Sequence, residues 1–280
     1  VFPNTLEDSN VGVIGVCGWS GVGKTSLIKE VAKKVKGNIF VEVIMVNVTS
    51  CPNIPIIQGQ IADRLGMKLE EKSESGKAAR LRERLKNSKE KTLIILDNMG
   101  VKLDFSMLGI PFDNNDHSLT SYKGCKILMI SDNKQLLLSQ MDGKQIPTFC
   151  VEALMEEEAK MMFKNMAEMD DENTLFEALA AQIAKKSKGL PMMIVTIANA
   201  LKYKSLPIWE DTYRKLESQN LTTMLEFTTK LSYDLLENEE LQHFFLLCAR
   251  MGHDALITDL VRYCIGLDLL HGVYTVAKSG

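Results

Sequence analysis

Eight consecutive residues, Gly18-Trp19-Ser20-Gly21-Val22-Gly23-Lys24-Thr25, fit the pattern G-x-x-x-x-G-K-[ST] in full. Each residue type has a chemical task there. Glycines let the backbone close around a polyphosphate, with successive N–H groups pointing inward. A helix beginning near Lys24 would turn the positive end of its dipole to the same anion. Gly18, Gly21, Val22, Gly23, Lys24, Thr25 and Ser26 are therefore the expected phosphate cradle. Lys24 would reach the terminal phosphates, and Thr25 would offer its hydroxyl to Mg2+. The competing reading, a Gly-rich turn without a ligand, is weakened by the apolar run before the motif and the amphipathic stretch after it. A second feature complements the first. Thr92-Leu93-Ile94-Ile95-Leu96-Asp97 reads as a buried strand ending in an acid. At a strand's carboxyl end, Asp97 would hold Mg2+ through water, the alternative being a turn or helix-cap aspartate. Asn98 follows, where many ATPases of this kind carry a second acid to orient the attacking water. An amide cannot accept a proton from water at neutral pH.

The elements that must position these residues alternate between two periodicities. Val11 to Cys17, Phe40 to Val48, Thr92 to Leu96 and Lys126 to Ile130 are short apolar runs. Lys24 to Lys36 and Ile54 to Leu65 carry apolar residues at helical spacing. Runs without polar alternation, separated by amphipathic helices, predict a parallel sheet covered on both faces. This α/β domain is expected to end near Pro147. Between Lys68 and Lys91 lie nine basic and five acidic residues, read as a solvated helix whose Leu81 and Leu85 face the sheet, not as a nucleic-acid patch. His117, in the polar loop Asp113 to Ser121, reads as a solvated residue.

Beyond Pro147 the pattern turns helical. Glu152 to Met169, Thr174 to Lys188, Met192 to Lys202, Met224 to Leu236 and Glu239 to Arg250 are predicted helices. Gly189 suits a helix C-cap and Pro191 the first position of the next helix. The stretch of Met161, Met162, Met166 and Met169 reads as core filling, the alternative being an adaptable binding surface.

Composition limits the classes of function. The 280 residues carry 33 basic and 36 acidic side chains, a net charge of −3, so no global field favours a polyanion. No apolar run approaches the ~18 residues that a membrane span needs. Six scattered cysteines form no metal-ligand pattern. Cys17, Cys125, Cys150 and Cys248 lie in apolar segments and are expected as buried, reduced thiols of an intracellular protein. The chain opens on Val1 and its last segment reaches no obvious stop signal, which reads as an excerpt of a longer polypeptide.

Five segments then resemble one family in order and spacing: GWSGVGKTS (Gly18 to Ser26), LIILDN (Leu93 to Asn98), GCKILMIS (Gly124 to Ser131), KGLPMMIV (Lys188 to Val195) and LSYDLLENEELQHFFLLCA (Leu231 to Ala249). The sequence looks like the NB-ARC nucleotide-binding domain of plant disease-resistance proteins of the nucleotide-binding leucine-rich-repeat class, coiled-coil branch. The resemblance implies an α/β P-loop NTPase domain over 1–147, a helical bundle over 148–217 and the start of a truncated winged-helix subdomain over 218–280. It implies a switch held off by ADP with Mg2+, in which exchange for ATP permits self-association and defence signalling. Pro191 matches the family proline that packs against the adenine, although it also suits a helix start. Implied partners are an N-terminal signalling domain and C-terminal leucine-rich repeats, both missing here. The implied location is cytoplasmic, with membrane-associated or nuclear pools left open.

The sequence also departs from the family. Asn98 replaces the usual second Asp, and Asp132 stands where an Arg usually senses the γ-phosphate. A carboxylate there would repel that phosphate, so feeble ATP turnover is expected, at most that of a slow ATPase. Gly100 replaces the family's Trp, and the Met-His-Asp motif does not occur; His253 and His271 are in other contexts. Three rivals stay in view: a P-loop kinase, for which no acceptor site is legible; a degenerate scaffold that binds little nucleotide; and DNA binding by the winged-helix end, which the acidic balance disfavours.

Overall fold

The apolar runs become strands of one sheet. In the computed structural model, which describes residues 2–48, 51–88, 90–112, 124–141, 145–169, 174–218, 221–236, 238–251, 256–267 and 269, β1 (Val13–Cys17), β2 (Glu42–Asn47), β3 (Thr92–Asp97), β4 (Cys125–Ser131) and β5 (Thr148–Cys150) pair in the order β2-β3-β4-β1-β5. Every pairing is parallel. Each residue of β1, β3 and β4 is buried, as expected of strands covered on both faces.

The helices of this part are α1 (Phe2–Glu7), α2 (Lys24–Val35), α3 (Ile54–Arg64), α4 (Glu74–Asn87) and α5 (Lys134–Gln140). Alternate strand residues feed two separate cores. Leu93 and Ile95 of β3 pack with Ile28 and Val35 of α2 and Leu6 of α1. Ile94 and Leu96 pack with Ile57 and Ile61 of α3 and Leu81 and Leu85 of α4. Each such buried Leu or Ile contributes roughly 1.5–3 kcal/mol relative to exposure. Capping side chains start three of the helices: Asn53, Ser73 and Asn133 accept from the backbone N–H groups of Ile56, Gly76 and Leu136. The charge-dense segment is α4, with Ala78, Leu81 and Leu85 inward and Arg80 paired to Glu83 on the exposed side.

Lys126 is a charged residue inside β4. Its ammonium donates to the carbonyls of Thr5 (3.2 Å) and Leu6 (2.8 Å), in the last turn of α1, and of Asp8 (2.8 Å), just past it. Burial pushes its pKa from 10.5 down to about 8, with Asp8 opposing the fall and Lys91 adding to it. The folded pKa lies below the unfolded one, so the penalty is fully present below pH ~8 and is relieved as pH rises toward 10.5. In urea denaturation, the stability of the wild type relative to Lys126→Met is therefore expected to increase from pH 8 to pH 10. A flat difference would mean that burial leaves the ammonium's proton affinity unchanged.

The chain divides into two compact units, Val1–Ala153 and Leu154–Gly280. The second contains α6 (Glu156–Ala167), α7 (Thr174–Lys186), α8 (Pro191–Leu201), α9 (Leu206–Glu217), α10 (Leu221–Asp234), α11 (Glu239–Met251) and α12 (Ile257–Gly266). Trp209 of α9 is buried edge-on to Phe163 (5.7 Å between centroids) and Phe176 (5.0 Å). Its indole N–H donates to Leu201 O at 3.0 Å, satisfying the polar end of the ring.

Several expectations need correction. β5 lies beyond Pro147, in a three-residue strand too short to show a pattern. The methionine stretch does not fill the core: Ala159, Phe163 and Ala167 make the inward stripe of α6, which leaves Met161 and Met166 exposed. Cys17 and Cys125 are buried, as is Cys264, but Cys150 and Cys248 are exposed together with Cys51. Cys150 sits on the sheet's edge strand, and Cys248 sits on α11, which has no buried residue. His117, His253 and His271 fall outside the described residues.

Candidate functional site

β1 runs between β4 and β5, and the chain leaves it through α2 for the far edge strand β2. Such a reversal opens a crevice at the carboxyl end of β1, where ligands of open parallel sheets bind. Gly18 to Gly23 fill that position between β1 and α2. Gly18 permits a close approach: a Cβ there would lie 2.5 Å from the carbonyl oxygen of Val151, which follows β5. Gly23 is the N-cap of α2 in the left-handed region (φ 94°), with no side chain bonded to the first turn. The first amides of α2 are thus left without a side-chain cap, which suits an anion. Val22 is buried, and its amide donates to Trp19 O at 3.2 Å.

Lys24 arches back over this loop. Its ammonium donates to the carbonyls of Gly18 (2.7 Å) and Trp19 (3.0 Å). Desolvation lowers its pKa, while the carboxylates of Asp132 and Asp97 pull it back up. The next residue, Thr25, donates from Oγ1 to Asp97 Oδ1 at 3.0 Å across 72 residues of sequence. A hydroxyl and a carboxylate are hard oxygen donors of the kind Mg2+ takes. No group of three or more His, Cys, Asp or Glu able to hold a metal occurs among the described residues. A Mg2+ ion here would complete its shell with phosphate oxygens and water, its usual mode. The residues present therefore fit a nucleotide phosphate with Mg2+. Ser26 is exposed on the first turn of α2.

Asn98 follows β3 with φ 58°, a conformation that asparagine tolerates, and its side chain is exposed. Asp132 is exposed just past β4, near enough to act on Lys24. Sequence reasoning missed Ser131. Its buried hydroxyl donates to Met99 O at 2.7 Å and accepts from Asn133 N at 3.1 Å. It thereby ties the turn after β3, which carries Asn98, to the turn after β4, which carries Asp132. Its one sequence signal is a hydroxyl closing the apolar run CKILMIS. Pro191, in the second unit, is the first residue of α8, after Leu190 at the N-cap.

Residues 2–173 match the family model described as NB-ARC domain. The putative disease resistance protein At5g05400 of Arabidopsis thaliana is 29% identical over 99% of this chain, which covers 31% of that protein. The probable disease resistance protein At4g27220 of Arabidopsis thaliana is 30% identical over 95% of this chain, which covers 29% of it. The chain thus spans less than a third of each of these relatives. Among solved structures, Cdc6p from Pyrobaculum aerophilum shares the fold with a TM-score of 0.54 at 14% identity, over 72% of this chain and 58% of that one.

Proposed function

Because the chain belongs to the NB-ARC family, we propose that it is the regulatory nucleotide switch of an intracellular plant immune receptor, held off by ADP and poor at hydrolysing ATP. P-loop nucleotide binding is the part that comes with the family. The observation that carries the rest is the convergence of Lys24, Thr25 and Asp97 at one end of the sheet, with Asp132 acting on the same lysine. In this reading Gly18, Gly21, Val22, Gly23, Lys24, Thr25 and Ser26 hold the phosphates. Thr25 and Asp97 hold Mg2+, Asn98 fails to activate water, and Pro191 is assigned to the base.

Asp132 gives the ADP preference. A carboxylate facing a terminal phosphate is repelled by the extra charge of ATP and less so by ADP. Names of relatives as disease resistance proteins support the receptor reading, and their greater length supports an N-terminal signalling domain and C-terminal leucine-rich repeats as partners. Self-association would belong to the ATP-bound form. No described helix is long and apolar enough to cross a membrane, and the proposed location is the cytoplasm. We also propose that the second unit divides near residue 217 into a bundle and the start of a winged helix.

The test is thermal unfolding with Mg2+ plus ADP against Mg2+ plus ATP. A ligand that binds only the native form raises the midpoint, and ADP is expected to raise it more. Asp132→Asn should narrow the gap by improving ATP affinity roughly tenfold, about 1.4 kcal/mol. Equal shifts in the wild type would remove Asp132 as the discriminating residue. No shift with either nucleotide would favour the second reading, an interaction scaffold.

A further inference from the structure

Cys17 ends β1 and Cys150 ends β5, and the two residues are in register on these parallel neighbours. Their sulfur atoms are 2.7 Å apart. Neighbouring strands lie about 4.7–4.9 Å apart, within the ~4.4–6.8 Å Cα separation that a disulfide spans. The bond therefore needs no strand movement. The Val151 amide donates to Cys17 O at 2.7 Å and holds the two strand ends together just past the thiols. Their access to solvent is unequal. Cys17 is 3% exposed, whereas Cys150 lies exposed on the edge strand.

We propose that Cys17 and Cys150 form a reversible disulfide when the protein meets hydrogen peroxide, a modification site one residue ahead of the phosphate loop. Cys150 reacts first, because it is the thiol that the oxidant can reach. Its sulfur attacks peroxide, the O–O bond breaks, and one oxygen stays as a sulfenic acid while the other leaves as water. The Cys17 sulfur then attacks the Cys150 sulfur, the S–O bond breaks, and the hydroxyl leaves with the Cys17 proton as a second water. Two thiols lose two electrons, and one peroxide becomes two waters.

The surroundings of Cys17 keep it protonated before the first step. Burial, and then the hydrogen bond and charge of Cys150, push the Cys17 pKa up to about 11, while the ammonium groups of Lys134 and Lys24 pull it down. Oxidation of Cys150 removes the thiol partner that helps to raise Cys17 and leaves both lysines in place. Cys17 is thus a protected resolving thiol until its neighbour is oxidised. The resulting bond is fixed directly to Gly18, whose carbonyl accepts from Lys24. This inference needs no bound nucleotide and stands apart from the switch reading.

The experiment treats the full chain with graded hydrogen peroxide, blocks free thiols under denaturing conditions and maps peptides without reduction. The expected product is one cross-linked pair carrying Cys17 and Cys150, lighter by two hydrogens and released by dithiothreitol. Because the link spans 133 residues, it should also raise the unfolding midpoint by roughly 5–10 °C. Cys150→Ser should show neither change. Three results would overturn the proposal: Cys150 over-oxidised while Cys17 is still alkylated, Cys150 cross-linked to Cys51 or Cys248, or both thiols unmodified across the peroxide range.

Discussion

Lys24→Ala is expected to weaken Mg2+–ADP binding by two to three orders of magnitude and to leave the fold intact. The lysine is the first residue of α2, and its ammonium already lies across the loop, on the carbonyls of Gly18 and Trp19. A phosphate in the loop would take over charge-assisted hydrogen bonds from this group. Two such bonds together are worth about 3–4 kcal/mol, which is the stated change in affinity. Electrostatics enlarges the loss. Asp97 and Asp132 both act on Lys24, so its removal exposes an incoming phosphate to both carboxylates without the cation between them.

The fold should tolerate Lys24→Ala because alanine is the best helix former and Lys24 is only partly buried. Isothermal titration of the wild type and variant with Mg2+–ADP, with circular dichroism as the control for folding, checks both halves. Lys24→Arg should recover little, since a planar guanidinium does not replace a compact ammonium inside a tight loop. Unchanged affinity in Lys24→Ala would mean that the loop does not hold the phosphates.

Legibility of this site in the sequence followed distance along the chain and the length of each element. β1, β3 and β4 are runs of five to seven residues, buried throughout, and such runs are readable because each holds a stretch of at least four residues without a polar side chain. β5 is Thr148-Phe149-Cys150, and it is a strand only because β1 lies beside it. The placing of Gly18 to Gly23 between a strand and a helix was legible because those residues are contiguous. Asp97 was legible because an acid closing an apolar run is a recognisable pattern. Their meeting, Thr25 with Asp97 at 3.0 Å, depends on how the sheet orders its strands, with β4 inserted between β1 and β3.

The cysteines illustrate the opposite case. Cys150 lies in an apolar stretch, which predicts burial, yet an edge strand leaves it exposed. Its closeness to Cys17 is set by strand register alone. The methionines of α6 failed for a related reason. Hydrophobicity says that a residue is fit for a core, but the stripe through Ala159, Phe163 and Ala167 decides which face is turned inward. Lys126 and Ser131 look like ordinary strand-end polar residues, and only the carbonyls they meet give them a task.

Gly189→Ala is expected to destabilise the second unit by roughly 3–5 kcal/mol. Two costs combine. Gly189 has φ +67°, where a Cβ adds strain of about 1–2 kcal/mol. The new methyl would also be driven into the carbonyl oxygen of Leu154, with Leu154 N only 2.9 Å away. These are backbone atoms and cannot turn aside as a side chain could. Leu154 N–H moreover donates to Gly189 O at 2.8 Å, so relief of the clash must break the bond that ties the start of this unit to the turn before α8. For a domain whose whole stability is about 5–15 kcal/mol, the expected fall in unfolding midpoint is on the order of 10–20 °C. Gly59→Ala is the matched control. Gly59 lies inside α3, a Cβ there would meet nothing within 4 Å, and alanine should stabilise that helix by up to about 1 kcal/mol. Opposite signs for the same chemical change would locate the effect in backbone conformation and contact at the α7–α8 turn. A fall of under about 5 °C in Gly189→Ala would mean that the turn and Leu154 separate at little cost, and that α8 with Pro191 at its head is held by its buried face alone.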